Sequence, residues 1–470
     1  MSAPVLDLSL VPPLGEPRPQ PVPQVHETTL PNGLRVAVVP RAGVPLVELR
    51  LRIPFAATTA RAAGTHVART SVLSGAVLLG TAAHDQVQIA QLLQAEGAEL
   101  SVSSDPDRLL LGTTMLPAGL PAVLGVLAEL LTRATYPEAQ VAAERARVVE
   151  RIGIAKSQPG VVARTALATR RHGVHPYAVQ LPDPALVSAV TPAALRKLHR
   201  ERLLPAGSTL TLVGDVDPAS AVEAVAHALG EWTGTAGQTG VPPLTELRVG
   251  PLQLVDRPGA VQSNIRLGGP APGRTDPELP ALRLANMVYG GYFSSRLVEN
   301  IRERRGYTYS PRSSVDHLAA GSSFVVEADV ATGVTGPALL ETTYELGRIA
   351  LVPVTEAELE GARRYVLGTM ALATATHAGL ASTLSALIGA GLPAEWLAEH
   401  QAALATVTLE EVAAAARRHM HPAGLTAVVV GDAEQVAEQL RALGPVEVTA
   451  SAVRPTTTTR ATTTESTEPS

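Results

Sequence analysis

The sequence contains no cysteine. That excludes disulfides, thiolate zinc sites and iron–sulfur clusters. Lysine occurs only at positions 156 and 197, and no long basic run accompanies the formal net charge of −5. Nucleic acid is therefore not expected as a main partner. No Gly-Lys-Ser/Thr follows the Gly290-Gly291 pair and no spaced G-x-G-x-x-G occurs, so a nucleotide phosphate loop is not expected. A tight turn is the expected reason for that glycine pair. The first residues have no basic start followed by an apolar core, so no secretion signal is expected and the cytoplasm is the expected location. Two long stretches, Leu109 to Ala128 and Val366 to Ala394, are nearly uncharged and match a membrane span in length. Both contain Pro and Gly, and the second is full of Ala, Thr and Ser. They read as buried core, and no membrane partner is expected.

What the chain does have is a repeat. At 470 residues and 46 % hydrophobic it is long enough for two cores. Thr191–Gly207 (TPAALRKLHRERLLPAG) parallels Thr408–Gly424 (TLEEVAAAARRHMHPAG), with Pro-Ala-Gly in register. Nine residues after each of those prolines a strand ends in Gly-Asp, at Gly214-Asp215 and Gly431-Asp432. YPEAQVAAERARVV from Tyr136 parallels VTEAELEGARRYVL from Val354, and RAGVPLVELRL from Arg41 parallels RPGAVQSNIRL from Arg257. Four correspondences in order, offset by 216 to 218 residues, mark a duplicated domain.

Each copy opens with two strand-like runs, and Asn32-Gly33 is a hairpin signal. Amphipathic helices follow, one near Pro137–Ile152, and a final strand and helix close the unit. The expected fold class is α+β, as two tandem domains of antiparallel sheet packed with helices rather than a doubly wound parallel sheet. The expected boundaries are 1–24 for a Pro-rich extended start, 25–233 and 247–448 for the domains, 234–246 for a linker, and 449–470 for a disordered Thr-rich tail.

The stretch SSRLVENIRERRGYTYS (294–310) carries the chemistry. A helix from about Ser294 is expected, with serine as N-cap, Leu297 and Ile301 on one face and Gly306 at its end. Arg302 lies near that end and Tyr309 follows in an extended segment. From charge and periodicity alone, Arg302 belongs to a solvated charge run and Tyr307 and Tyr309 merely alternate. The run from Gly290 through Phe293 and Arg296 to Ser310, however, closely resembles the arginine–tyrosine substrate clamp in the second half of pitrilysin/insulinase-type zinc peptidases, the inverzincins. The resemblance extends over Glu27 to Val446 and includes Gln262-Ser263. It implies that Arg302 offers fork-like donors to a peptide carbonyl and that Tyr309 donates to charge developing at the scissile carbonyl.

The same family carries H-x-x-E-H on a first-half helix, and this sequence has none. Aligned on Gly80-Thr81, the lost positions are Ser71 and Gly75 for the two histidines and Ser74 for the base, with Arg151 at the third ligand, one residue from Glu150. Ser, Gly and Arg supply no imidazole or carboxylate. His66, His172, His175, His419 and His421 form no i, i+4 pair with an acid between them. The resemblance therefore implies a non-catalytic subunit that binds no cofactor of its own. Its expected partners are a subunit of the same family that bears H-x-x-E-H and holds the zinc, and an unfolded peptide substrate. The alternatives are a structural subunit of the kind found in respiratory complexes, and an intact peptidase built around His66 and Glu150.

Overall fold

The computed structural model describes residues 23–234, 240–245 and 249–450. Most of the Pro-rich start, part of the linker and the Thr-rich tail lie outside these residues. Among the described residues twelve strands form two six-stranded sheets. The first half supplies β1 (His26–Thr29), β2 (Arg35–Pro40), β3 (Val47–Pro54), β4 (Ser101–Ser104), β5 (Arg108–Met115) and β6 (Thr209–Gly214). The second supplies β7 (Leu252–Asp256), β8 (Gln262–Ala271), β9 (Arg312–Leu318), β10 (Gly321–Ala331), β11 (Thr426–Gly431) and β12 (Val446–Ala450).

Strand order is β1-β2-β6-β3-β5-β4 in one sheet and β12-β7-β11-β8-β10-β9 in the other. Five consecutive positions match in order and direction, with one parallel pair (β2–β6, β7–β11) and the rest antiparallel. The duplication is thus visible in the topology. The sheets differ at one edge, where β1 runs antiparallel to β2 but β12 runs parallel to β7. Residues 449 and 450, expected in the tail, belong to β12, because its register continues to Ala450 against Asp256.

Asn32-Gly33 does join β1 to β2, with Gly33 at φ +87° and its Cα facing Ala206 so closely that a Cβ would stand 3.2 Å from the Ala206 backbone. The two opening runs, β2 and β3, are not neighbours, because β6 inserts between them. All six residues of β6 are buried, as a central strand covered on both faces requires.

Helices cover both sheets, and one on each side is exchanged. The Pro159–His172 helix belongs to the first half but packs on β8 and β11 of the second sheet. Its Ala163 and Leu167 meet Val255, Val428 and Val430. Reciprocally, Leu380, Ala381, Leu384 and Ile388 of the His377–Ile388 helix cover Ala37, Val39 and Val213 of the first sheet. That covering role accounts for one uncharged run. The Glu356–Ala375 and His377–Ile388 helices meet at a bend of 108°, and no single helix among the described residues is long and apolar enough to cross a membrane. The other run splits into β5 and the Leu120–Arg133 helix.

Candidate functional site

The clamp segment starts one residue later than the sequence suggests. Ser295 is the N-cap, yet its side chain caps nothing and its hydroxyl is buried without a partner. Arg296–Val298 is one α-helical turn, and Glu299–Arg304 continues as a π-helix. Such widened turns recur at functional positions. Gly290 and Gly291 also lie in a π-helical turn, Met287–Gly291, and neither has positive φ. A tight turn is therefore not their reason. A Cβ on Gly290 would stand 2.8 Å from Ser313 Oγ, and one on Gly291 2.6 Å from Met287 Cε. Close approach to Ser313 and Leu297, not turning, favours glycine at 290, while at 291 the near atoms are the ends of the Met287 and Asn286 side chains.

The far end behaves as read. Gly306 takes φ +64°, its N–H donates to Arg302 O (3.0 Å), and the Tyr307 N–H donates to Ile301 O (2.8 Å). This left-handed cap reverses the chain, and Tyr307 packs on the second core just beyond it. The Thr308 hydroxyl then donates to Asp329 O (2.7 Å) and pins the segment to β10. Tyr309 emerges 79 % exposed.

Arg302 and Tyr309 are brought together. The Arg302 guanidinium carbon lies 4.8 Å from the Tyr309 ring centroid and 4.7 Å from that of Phe293, which is itself 63 % exposed. Its Nε is 3.2 Å from the Glu303 carboxylate. Two rings holding one guanidinium by cation–π attraction limit its rotamers while its N–H edge stays available. Phe293 is the member that sequence reasoning gave no role.

The platform beneath is braced by buried charge. Arg296 donates to both oxygens of Glu358 (2.6 and 2.9 Å) and to the carbonyls of Val352 and Pro353. Burial works against the Glu358 carboxylate, but the Arg296 guanidinium and the N–H and hydroxyl of Thr355 outweigh it and hold its pKa down at about 2. Asn300 donates to Glu341 and Glu345, both at 2.9 Å.

The positions expected to correspond to the family's metal ligands and base, Ser71, Ser74, Gly75 and Arg151, lie on the Ala60–Ala76 helix and the Glu138–Ser157 helix. Ser71 and Ser74 turn their hydroxyls back onto Val67 O (2.8 Å) and Thr70 O (2.9 Å). Gly75 faces a residue that the sequence reading left without a role. A Cβ there would fall 2.5 Å from the carboxyl carbon of Glu144, which is buried. Arg147 (2.6 Å) and Arg151 (2.9 Å) hold that carboxylate from the more open side. The spacing Glu144, Arg147, Arg151 places all three on one helical face, a signal present in the sequence. One carboxylate already engaged by two guanidinium groups, two self-satisfied hydroxyls and a glycine do not fit a zinc ion, whose charge the arginines would repel. Among the described residues no group of three His, Cys, Asp or Glu side chains is placed to share a metal.

The remaining candidates do not assemble. His66 Nε2 bonds Phe55 O, and burial pushes its pKa down to about 4. Glu150 is exposed on the helix. His172 ends the Pro159–His172 helix, while His175 bonds Pro242 O (2.8 Å), and His419 bonds Glu278 (2.9 Å).

A family model described as the peptidase M16 inactive domain matches residues 189–366, a span that includes the whole clamp. Over that span the chain is similar to the M16 peptidase family, the pitrilysin type. An uncharacterized zinc protease of Mycobacterium tuberculosis is 27 % identical to it over 440 residues, 89 % of this chain and 96 % of that protein. One of Streptomyces coelicolor is 26 % identical over 363 residues, 74 % and 77 % of the two chains. Among solved structures, a peptidase M16 inactive domain from Pseudomonas fluorescens covers 87 % of this chain and 98 % of its own, at a TM-score of 0.79 and 23 % identity. A protease from Helicobacter pylori covers 87 % and 100 %, at 0.80 and 17 %. The two helix-packed sheets are the fold that these solved structures share.

Proposed function

We propose that this chain is the non-catalytic, substrate-clamping subunit of a two-chain zinc peptidase. A companion of the same family, bearing H-x-x-E-H, supplies the zinc ion and the general base in this reading. This chain supplies Arg302 and Tyr309, which grip the peptide bound at the companion's metal. The proposed lobes are residues 25–233 and 247–448, joined by 234–246, and the proposed place of action is the cytoplasm.

One observation carries the reading. Arg302 and Tyr309 stand side by side and accessible on a braced platform, and among the described residues the Tyr309 ring has no ring or cation contact besides Arg302. A structural subunit of a larger complex has no need of such a pair. The filling of the expected metal position by Glu144 and its two arginines supports a metal held elsewhere. A peptidase centred on His66 and Glu150 finds no support, because the first is turned into a backbone carbonyl and the second is exposed.

The test is peptide cleavage by this chain alone and by the assembled pair. The pair is expected to cleave and to lose activity with a chelator, while the isolated chain does neither. The Arg302→Ala, Tyr309→Phe double variant, assembled with the companion, is expected to lose about 100-fold or more in kcat, the scale of removing a transition-state donor. Unchanged turnover by that assembled variant sinks the proposal.

A further inference from the structure

The uncharged run Val366–Ala394 begins before the covering helix does. Its first part lies on the Glu356–Ala375 helix, which carries no charged residue from Tyr365 to its C-cap, Thr376. Tyr365 is 45 % exposed there and Leu372 74 %, and Gly368, Thr369 and Ala373 are exposed beside them. The duplication supplies an internal comparison. The matching element of the first half is the Glu138–Ser157 helix, of the same 20 residues. Its equivalent stretch carries Arg147, Glu150, Arg151 and Lys156. Arg147 stands where Tyr365 does, and Ile154 where Leu372 does. This place in the fold accepts an ordinary charged outer face, so the fold does not require a bare one.

The bare face starts at the clamp. Glu358, in the first turn of the helix, holds Arg296 of the clamp segment (2.6 and 2.9 Å). One turn on, a Cβ on Gly361 would lie 3.5 Å from the Tyr292 hydroxyl. The Tyr365 ring is 5.2 Å from the Tyr292 ring, and Tyr292 precedes Phe293, whose ring holds Arg302. Positions 358, 361, 365 and 372 fall on one side of a helix. Leu372 therefore lies about 10 Å beyond Tyr365 along the same side. Arg41 of the first half marks the far end, donating to Thr374 O (3.0 Å) and Ala375 O (2.7 Å). Gly368 lies between Tyr365 and Leu372 with nothing within 4 Å of its Cβ position, which leaves an open step between the two side chains.

We propose that this face is a track for the substrate peptide. It takes an extended, uncharged segment and seats a large apolar side chain over Gly368, between Tyr365 and Leu372. The track rests on the clamp reading and names its substrate class: peptides whose sequence beside the gripped bond is apolar and uncharged. Its length of about 10 Å matches about three extended residues. The same strip, one helix wide, falls far short of the roughly 1,200–2,000 Å² that a stable interface between folded proteins buries.

The full chain is titrated by fluorescence anisotropy with three labelled Ser/Gly peptides that carry Leu, Lys or Glu at alternate positions. The Leu peptide is expected to bind saturably, and the other two about tenfold more weakly. Leu372→Ser removes an exposed side chain, so it is expected to leave the melting temperature unchanged while weakening the Leu peptide about five- to tenfold. Leu372→Glu is expected to shift the preference to the Lys peptide. Ile154→Ser, at the equivalent exposed position of the first half, is the control and is expected to change none of the three. No saturable binding of the Leu peptide, equal binding of all three, or indifference to both Leu372 variants would each overturn the track. So would self-association of the chain that Leu372→Glu abolishes in sedimentation, which assigns the face to a second copy. Turnover by the assembled pair separates this result from the clamp reading. Lost kcat in the Arg302→Ala, Tyr309→Phe variant with a Leu preference indifferent to Leu372 keeps the clamp and overturns the track. A Leu372-dependent preference with unchanged turnover in the double variant overturns the clamp alone.

Discussion

At the scale of the residue, two positions carry the argument against a metal and one carries the platform. Gly75 is helical, and a helical glycine ordinarily gains about 0.5–1 kcal/mol on change to alanine. Here the added methyl meets the Glu144 carboxyl group, which two arginines hold in place. Gly75→Ala is expected to cost about 1–3 kcal/mol in denaturant unfolding, as overpacking does. Gly125→Ala, exposed with nothing within 4 Å of its Cβ, is the control and is expected to stabilise slightly. A stabilised Gly75→Ala protein counts against the packing described. Glu358 offers a pH test. Its folded pKa, about 2, lies below its unfolded value, about 4.3. Its contribution is therefore complete above the unfolded value and is lost as pH falls toward about 2. The stability difference between wild type and Glu358→Gln is expected to be flat above about pH 5 and to shrink below about 4.5. A difference that persists unchanged to pH 2.5 contradicts the Arg296–Glu358 brace.

At the scale of the element, the exchanged helices matter most. The His377–Ile388 helix carries Gly379, Ser382, Thr383 and Ser385 and is modest in its own propensity, so its place is fixed by what it covers. Leu384 is fully buried against the first sheet, although its chain neighbours belong to the second half. Leu384→Ala is expected to cost about 2–5 kcal/mol, the range for a buried leucine, and to lower protection from hydrogen exchange in β2 and β6. Protection lost only in the second half would refute the exchange. The clamp segment shows the opposite relation of sequence to element. Its Gly306 cap was legible, because a left-handed residue after a helical run is a local demand. Its π-helical interior was not, because the i, i+5 bonds follow from the packing of Asn300, Ile301 and Arg296 and leave no periodic mark.

At the scale of the whole molecule, the two halves are copies that cannot be separated cheaply. Residues 23–234 alone would leave Ala37, Val39 and Val213 without their cover and would strand the Pro159–His172 helix without its sheet. That fragment is expected to bind hydrophobic dye and aggregate, whereas the full chain melts in one transition. A soluble, cooperatively melting fragment would show that the exchange is dispensable. The sequence by itself determined the duplication, the α+β class, the absence of H-x-x-E-H, and the presence of Arg302 and Tyr309. These are matters of residue identity and local spacing, which the chain carries in one dimension. Only the tertiary structure decided that Glu144 fills the space beside Gly75, that Phe293 and Tyr309 hold Arg302 between them, and that each half covers the other's sheet. Each of those depends on side chains distant in sequence arriving at one place, and hydrophobic burial of the sheets, which is blind to sequence order, is what brings them there.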